Sequence, residues 1–166
     1  LLSALGTIHT IWGYVSFKDT KNDHDVIEVK RAVIVPKIDG KMNDPIWEKV
    51  IWHGFDQKWQ GSFYTFNDFF GRYKLTWTPE ALYILVEIKD DSIEIFIDAD
   101  NSGGNHLSSN TAFSYNIDFY GNVVSKDLNK KPVFLTNHIN SKRITQKDVT
   151  VWEFEIILYD DTYKEG

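Results

Sequence analysis

The sequence predicts an all-β chain, an antiparallel β-sandwich of immunoglobulin-like or jelly-roll type, with one short helix near Trp47. Three observations predict it. Apolar and polar residues alternate over short runs, as half-buried strands require, because successive strand side chains point to opposite faces. Clusters of Gly, Pro, Asn and Asp separate those runs at short intervals. No stretch of eleven or more residues keeps apolar positions at spacings of three and four, so an α-rich fold is disfavoured.

The clearest run is residues 82–98, LYILVEIKDDSIEIFID. In its second half Ile93, Ile95 and Ile97 fall on one face, and Glu94, Phe96 and Asp98 on the other. The aliphatic face belongs to the core, whereas the face with acids and an aromatic needs solvent or a ligand to satisfy it.

Taken in order, residues 11–17 alternate weakly and the polar interval 19–25 ends whatever strand precedes it. Residues 26–35, VIEVKRAVIV, are rich in β-branched side chains and predict a strand that closes at Pro36. Asp39 and Gly40 form a tight-turn pair, and Asp44 is placed to cap a short helix with Pro45 at its first position, sending Trp47 and Val50 inward. Residues 52–71 mix aromatics with Gly, Asn and Asp and read as an irregular loop, whose Trp59 or Tyr64 either packs under the core or stacks on a ligand. Residues 72–78 alternate, with Tyr73, Leu75 and Trp77 on one face, and 78–81 turn the chain into the long run. In residues 112–119, Phe113, Tyr115, Ile117 and Phe119 face inward and Ser114, Asn116 and Asp118 outward, before a turn at 120–122. Residues 123–147 offer only short apolar pieces. The last strand, 149–158, places Trp152, Phe154, Ile156 and Leu158 on one face.

At 166 residues the chain fits one domain, with residues 1–31 an arm or strand of uncertain role and 32–166 the sandwich. A formal charge of −6 argues against nucleic acid, whose phosphates call for clustered Lys and Arg. The absence of cysteine removes disulfides and thiolate zinc sites. No apolar run approaches the ~20 residues of a membrane span, and residues 1–8 read either as the tail of a secretory signal or as an ordinary strand.

Three elements then resemble the family 9 carbohydrate-binding modules, in order and at similar spacing: IDGKMNDPIW with Ile38, Asp39, Gly40, Asp44 and Trp47; LYILVEIKD with Leu82, Tyr83, Val86, Lys89 and Asp90; and SIEIFID over 92–98. Residues 113–121 look like the strand and glycine turn that follow. The resemblance covers roughly residues 33–158. It implies a non-catalytic, sugar-binding β-sandwich that works in polysaccharide catabolism, commonly appended to a glycoside hydrolase such as a xylanase. It also implies a secreted, periplasmic or bacterial cell-surface location, a mono- or oligosaccharide ligand, and often structural calcium. Two departures stand out. The family's two sugar-stacking tryptophans belong to a loop that Asp90, Asp91 and Ser92 replace here, and to a segment beyond 149–158. The expectation is that residues are missing between Asp91 and Ser92 and after Gly166; loss of this aromatic clamp is the other reading.

Carried over by position, Glu94 matches the family's hydroxyl-binding acid, and Asn116 and Asp118 fall near its polar positions on the next strand. With Ser114 they line one sheet face in the alternation, either as a sugar site or as a solvated surface. Asp98, Asp100, Asn101 and Asn105 supply hard oxygen ligands suited to calcium, in a loop that also reads as plain surface turns. No catalytic residue is assigned. The chief rival reading is a glycoside hydrolase domain with Glu94 as acid or base. Its candidate pairs are Glu94 with Asp118, and Glu153 with Glu155, the latter expected to be a solvated face. Haem is disfavoured, since the only methionine is Met42 in the DGKMNDP turn.

Overall fold

Residues 81–88 are apolar at nearly every position, which alternation alone does not explain; a strand of this composition is one buried on both faces. The computed structural model bears this out. It describes residues 2–3, 27–55, 70–89, 93–98, 112–118, 120–121, 123–126, 132–133 and 138–157. Trp59, Tyr64, Phe119, Leu158 and the junction 90–92 lie outside them.

In chain order the elements are β1 (Leu2–Ser3), α1 (Pro45–Lys49), β2 (His53–Gly54), β3 (Gly71–Trp77), β4 (Ala81–Ile88), β5 (Ile93–Asp98), β6 (Ala112–Ile117), β7 (Val123–Lys126), β8 (Pro132–Val133), β9 (Ile139–Gln146) and β10 (Val149–Ile157). Among the described residues they form two sheets, ordered β1-β5-β6-β7-β8 and β2-β3-β4-β10-β9. Strand pairs are antiparallel, save that β1 runs parallel to β5. The two halves of the 82–98 run thus belong to different sheets.

The sheets pack face to face. Leu75 and Trp77 of β3, Leu82, Ile84, Val86 and Ile88 of β4, and Trp152, Phe154 and Ile156 of β10 meet Ile93, Ile95 and Ile97 of β5 and Tyr115 and Ile117 of β6. A second cluster explains the other buried side of β4. Ala81, Tyr83 and Leu85 lie under Ala32, Ile46, Trp47 and Val50, so the segment ending in α1 forms a third layer over the sheet's outer face. Pro45 starts α1, and Asp44 stands at the N-cap in an extended conformation. Its side chain, expected to cap, makes no capping hydrogen bond.

Two expectations differ from the structure. Residues 27–35 form no strand: Arg31 makes a single parallel bridge to Trp77, and the Ala32 N–H donates to the Trp77 carbonyl at 2.8 Å. Val29 is buried, but Val33, Ile34 and Val35 are exposed. The edge of β3 explains the difference, because β2 already pairs with it at Arg72 and Tyr73 and leaves only its Trp77 end. Conversely, β9 is an eight-residue strand where the sequence, INSKRITQ, showed no clear one. It closes the edge of its sheet by pairing with β10 from Val149 to Ile156.

Candidate functional site

Strands β5 and β6 set the geometry of the predicted site. Because Ile93, Ile95, Ile97, Tyr115 and Ile117 point into the core, Glu94, Phe96 and Asn116 stand on the opposite, outer face. All three are half-buried. The register places Glu94 directly opposite Asn116, and Phe96 opposite Ser114. Directly opposed side chains begin about 5 Å apart at their Cβ atoms, close enough to act on one small ligand. A carboxylate accepts hydrogen bonds only, while an amide both donates and accepts, so the pair matches adjacent hydroxyl groups.

Asp118 follows one residue beyond β6 and is exposed. Its Oδ1 accepts the Tyr120 N–H at 2.9 Å, and its carbonyl accepts the Gly121 N–H at 2.9 Å. Gly121 has φ +85°, which favours glycine at that position. Asp118 therefore builds the predicted turn as well as ending the polar row. The side chains of Ser114 and Asp98, and all of Asp100, Asn101 and Asn105, lie outside what is described. Among the described residues no group of three or more His, Asp or Glu is placed to hold a metal ion.

The acid that sequence reasoning missed is Glu153. Expected on a solvated face beside Glu155, it is fully buried. Its Oε2 accepts the backbone N–H groups of Asp39 at 2.9 Å, Gly40 at 2.7 Å and Lys41 at 3.2 Å, and its Oε1 accepts the Trp47 indole N–H at 2.8 Å. Burial pushes its carboxyl above the ordinary glutamate range, and the bonds from Asp39, Trp47, Gly40 and Lys41 pull it back. The position follows from the fold: β10 turns Trp152 and Phe154 into the main core, so Glu153 enters the layer beneath the 39–47 segment. Enclosed and saturated by donors, it is a latch between that segment and the sheet rather than an acid that reaches substrate.

Its neighbours on this face are likewise engaged. Glu155 accepts the Tyr83 hydroxyl at 3.1 Å. The Lys74 ammonium donates to the Trp47 carbonyl, and burial, then the nearby Arg72, lower its pKa. Arg72 pairs with Glu87 and lies over the Trp52 ring, 4.1 Å from its centroid. The Glu153 and Glu155 pair is thereby removed as a candidate for glycoside hydrolysis.

Comparison with known proteins points the same way. A family model described as carbohydrate family 9 binding domain-like matches residues 38–164. Endo-1,4-beta-xylanase C of Paenibacillus barcinonensis is 29% identical over 156 residues, covering 80% of this chain but 14% of the xylanase, so the chain spans a small part of that relative. A family 9 carbohydrate-binding module from Caldicellulosiruptor kristjanssonii, solved in complex with glucose, superposes with a TM-score of 0.51 at 21% identity, covering 80% of this chain and 68% of that one. A second structure of a family 9 module from that organism, in complex with cellotriose, gives 0.48 at 21% identity, with 76% and 65% covered. The first superposition shows a shared fold.

Proposed function

The chain belongs to the carbohydrate family 9 binding domain-like family, and we propose that it holds sugar on the outer face of the β5–β6 sheet, through Glu94 and Asn116. It is a non-catalytic carbohydrate-binding module. The observation that carries the site is the register: two side chains of complementary hydrogen-bonding capacity stand directly opposite on one half-buried face. Asp118 stands at the far end of the row, and Ser114, paired in register with Phe96, is the further residue of β6 proposed for the site. The sugars in the two solved modules, glucose and cellotriose, are the first ligands to try.

Titration calorimetry with those sugars should give saturable heat, and Glu94→Ala should weaken binding by about tenfold or more. The oligosaccharide should remain uncut. Unchanged affinity in the variant moves the site off this face.

The xylanase relative supports a wider setting, in which the module is joined to a glycoside hydrolase, takes part in polysaccharide catabolism and works outside the cytoplasm. Calcium belongs to the same reading. The register sets Asp98 opposite Ala112, so the ends of the connection carrying Asp100, Asn101 and Asn105 are adjacent. Its carboxylate and amide oxygens are of the kind calcium prefers. A chelator should lower the melting temperature and added calcium restore it; equal melting in both conditions would remove calcium from the account.

A further inference from the structure

We propose that Val33, Ile34 and Val35 form an aliphatic tip by which the chain docks on the surface of an anionic lipid bilayer, with Lys30, Arg31 and Lys37 as a cationic collar around it. The proposal goes beyond the sugar-binding reading and does not depend on it. Single exposed aliphatic side chains are ordinary on a protein surface. Three in succession, 95%, 61% and 55% exposed, call for a reason.

The fold holds them out. Before the tip, the Trp77 indole N–H donates to the Val29 carbonyl at 3.0 Å, the Thr76 hydroxyl to the Lys30 carbonyl at 2.8 Å, and the Ala32 N–H to the Trp77 carbonyl at 2.8 Å. Val29 and Ala32 are buried on that side. Directly after Val35, Pro36 is buried, and Ile38 packs against the cluster beneath α1. The chain is thus fastened to β3 before the tip and to the third layer after it, and the three residues between stand in solvent. Taking such side chains out of water is favourable, so a surface that accepts them gains in proportion to the apolar area covered.

Charge selects the occupant. Residues 29–38 contain three cations and no acid, in a chain of formal charge −6. Lys30, Arg31 and Lys37 are all exposed. Arg31 lies over the Trp77 ring, 5.7 Å from its centroid, a contact that leaves its charge in place. Lys37 meets Asp39 at 3.5 Å, but that carboxylate is shared with Lys41 at 3.7 Å, so the group keeps a net positive charge. Glu28, exposed two residues before Lys30, is the nearest acid on the other side in sequence. A purely acidic partner would answer the collar and leave the tip in water, and a purely apolar one would leave the cations without counter-charge. An anionic bilayer answers both, with acyl chains behind a layer of phosphate headgroups. The tip also belongs to the layer over one sheet, whereas Glu94 and Asn116 belong to the other sheet, so docking there does not use the sugar residues.

The test is cosedimentation of the full chain with vesicles of phosphatidylcholine alone and of phosphatidylcholine mixed with phosphatidylglycerol. Binding should be confined to the mixed vesicles and should fall as salt is raised, because salt screens the collar. Lys30→Gln combined with Lys37→Gln should weaken it by about tenfold or more, each cation near an anionic surface being worth about fivefold. Val33→Ser combined with Ile34→Ser should also weaken it by about tenfold or more, at an unchanged melting temperature, since both side chains are exposed. Equal binding to both kinds of vesicle, or to neither, overturns the proposal, as does wild-type affinity in either double variant. Sedimentation equilibrium without vesicles supplies the second measurement: a dimer that the Val33→Ser and Ile34→Ser pair abolishes overturns the membrane and assigns the tip to a second copy of the chain. None of these failures touches the sugar-binding reading, which calorimetry tests separately.

Discussion

Glu153→Ala is expected to destabilise the fold by about 4 kcal/mol, the largest effect of any single polar substitution proposed for this chain. The change deletes the acceptor shared by three backbone N–H groups and one indole N–H, all facing a buried site. Each abandoned donor forfeits its hydration without a replacement partner, and the missing side chain also leaves a void. Glu153→Gln should be nearly as damaging, although it keeps the shape. One amide oxygen replaces two carboxylate oxygens, and the new NH₂ group faces donors instead of acceptors. Urea unfolding would show the loss as a lower midpoint at unchanged slope, and thermal unfolding as a drop of about 8–16 °C for a domain of this size. A cost under about 1 kcal/mol would mean that the 39–41 turn does not depend on the acid. Glu94 and Asn116 belong to the other sheet, so sugar affinity per folded molecule should survive the change.

What could be read in advance divides along physical lines. The β5 face was legible because a period of two needs only neighbouring residues, and Ile93, Ile95 and Ile97 are indeed core. The short helix was legible from Pro45 and from Trp47 and Val50, both of which are buried, while Ile46, buried beside them, was not singled out. Strand β9 was not, because an edge strand with Asn140, Lys142, Thr145 and Gln146 exposed lacks the apolar contrast that marks a strand. Residues 27–35 misled in the opposite sense: β-branched composition describes a preference, and whether a free edge exists to pair with is decided by β2. The proposed site shows the same split. Alternation put Glu94 and Asn116 on outward faces, but their direct opposition is a matter of register, which no local pattern states. Glu153 was hidden for a related reason. Its partners lie more than a hundred residues earlier, and the available signal was an acid set between Trp152 and Phe154 in a chain that also carries an Asp39-Gly40 turn and Trp47.

That turn carries the second large effect. Gly40→Ala is expected to cost about 3 kcal/mol, from two sources that act together. Gly40 has φ +80°, a conformation that strains any residue with a Cβ by about 1–2 kcal/mol. The added carbon would lie 2.9 Å from the Arg143 carbonyl carbon and 3.2 Å from its Cα and N. Those atoms have little room to retreat, because Arg143 is in β9 and paired opposite Trp152 of β10. The turn must therefore lift, and lifting it draws the Gly40 N–H away from Glu153, its closest backbone donor at 2.7 Å. The two substitutions should then be strongly coupled: once Glu153 is gone, the turn has less to lose by moving. A double-mutant cycle is expected to show Gly40→Ala with Glu153→Ala costing less than the sum of the single changes by about 1–2 kcal/mol. Additivity within about 0.5 kcal/mol would mean instead that Gly40 is required by its own backbone geometry, independently of the carboxylate beneath it.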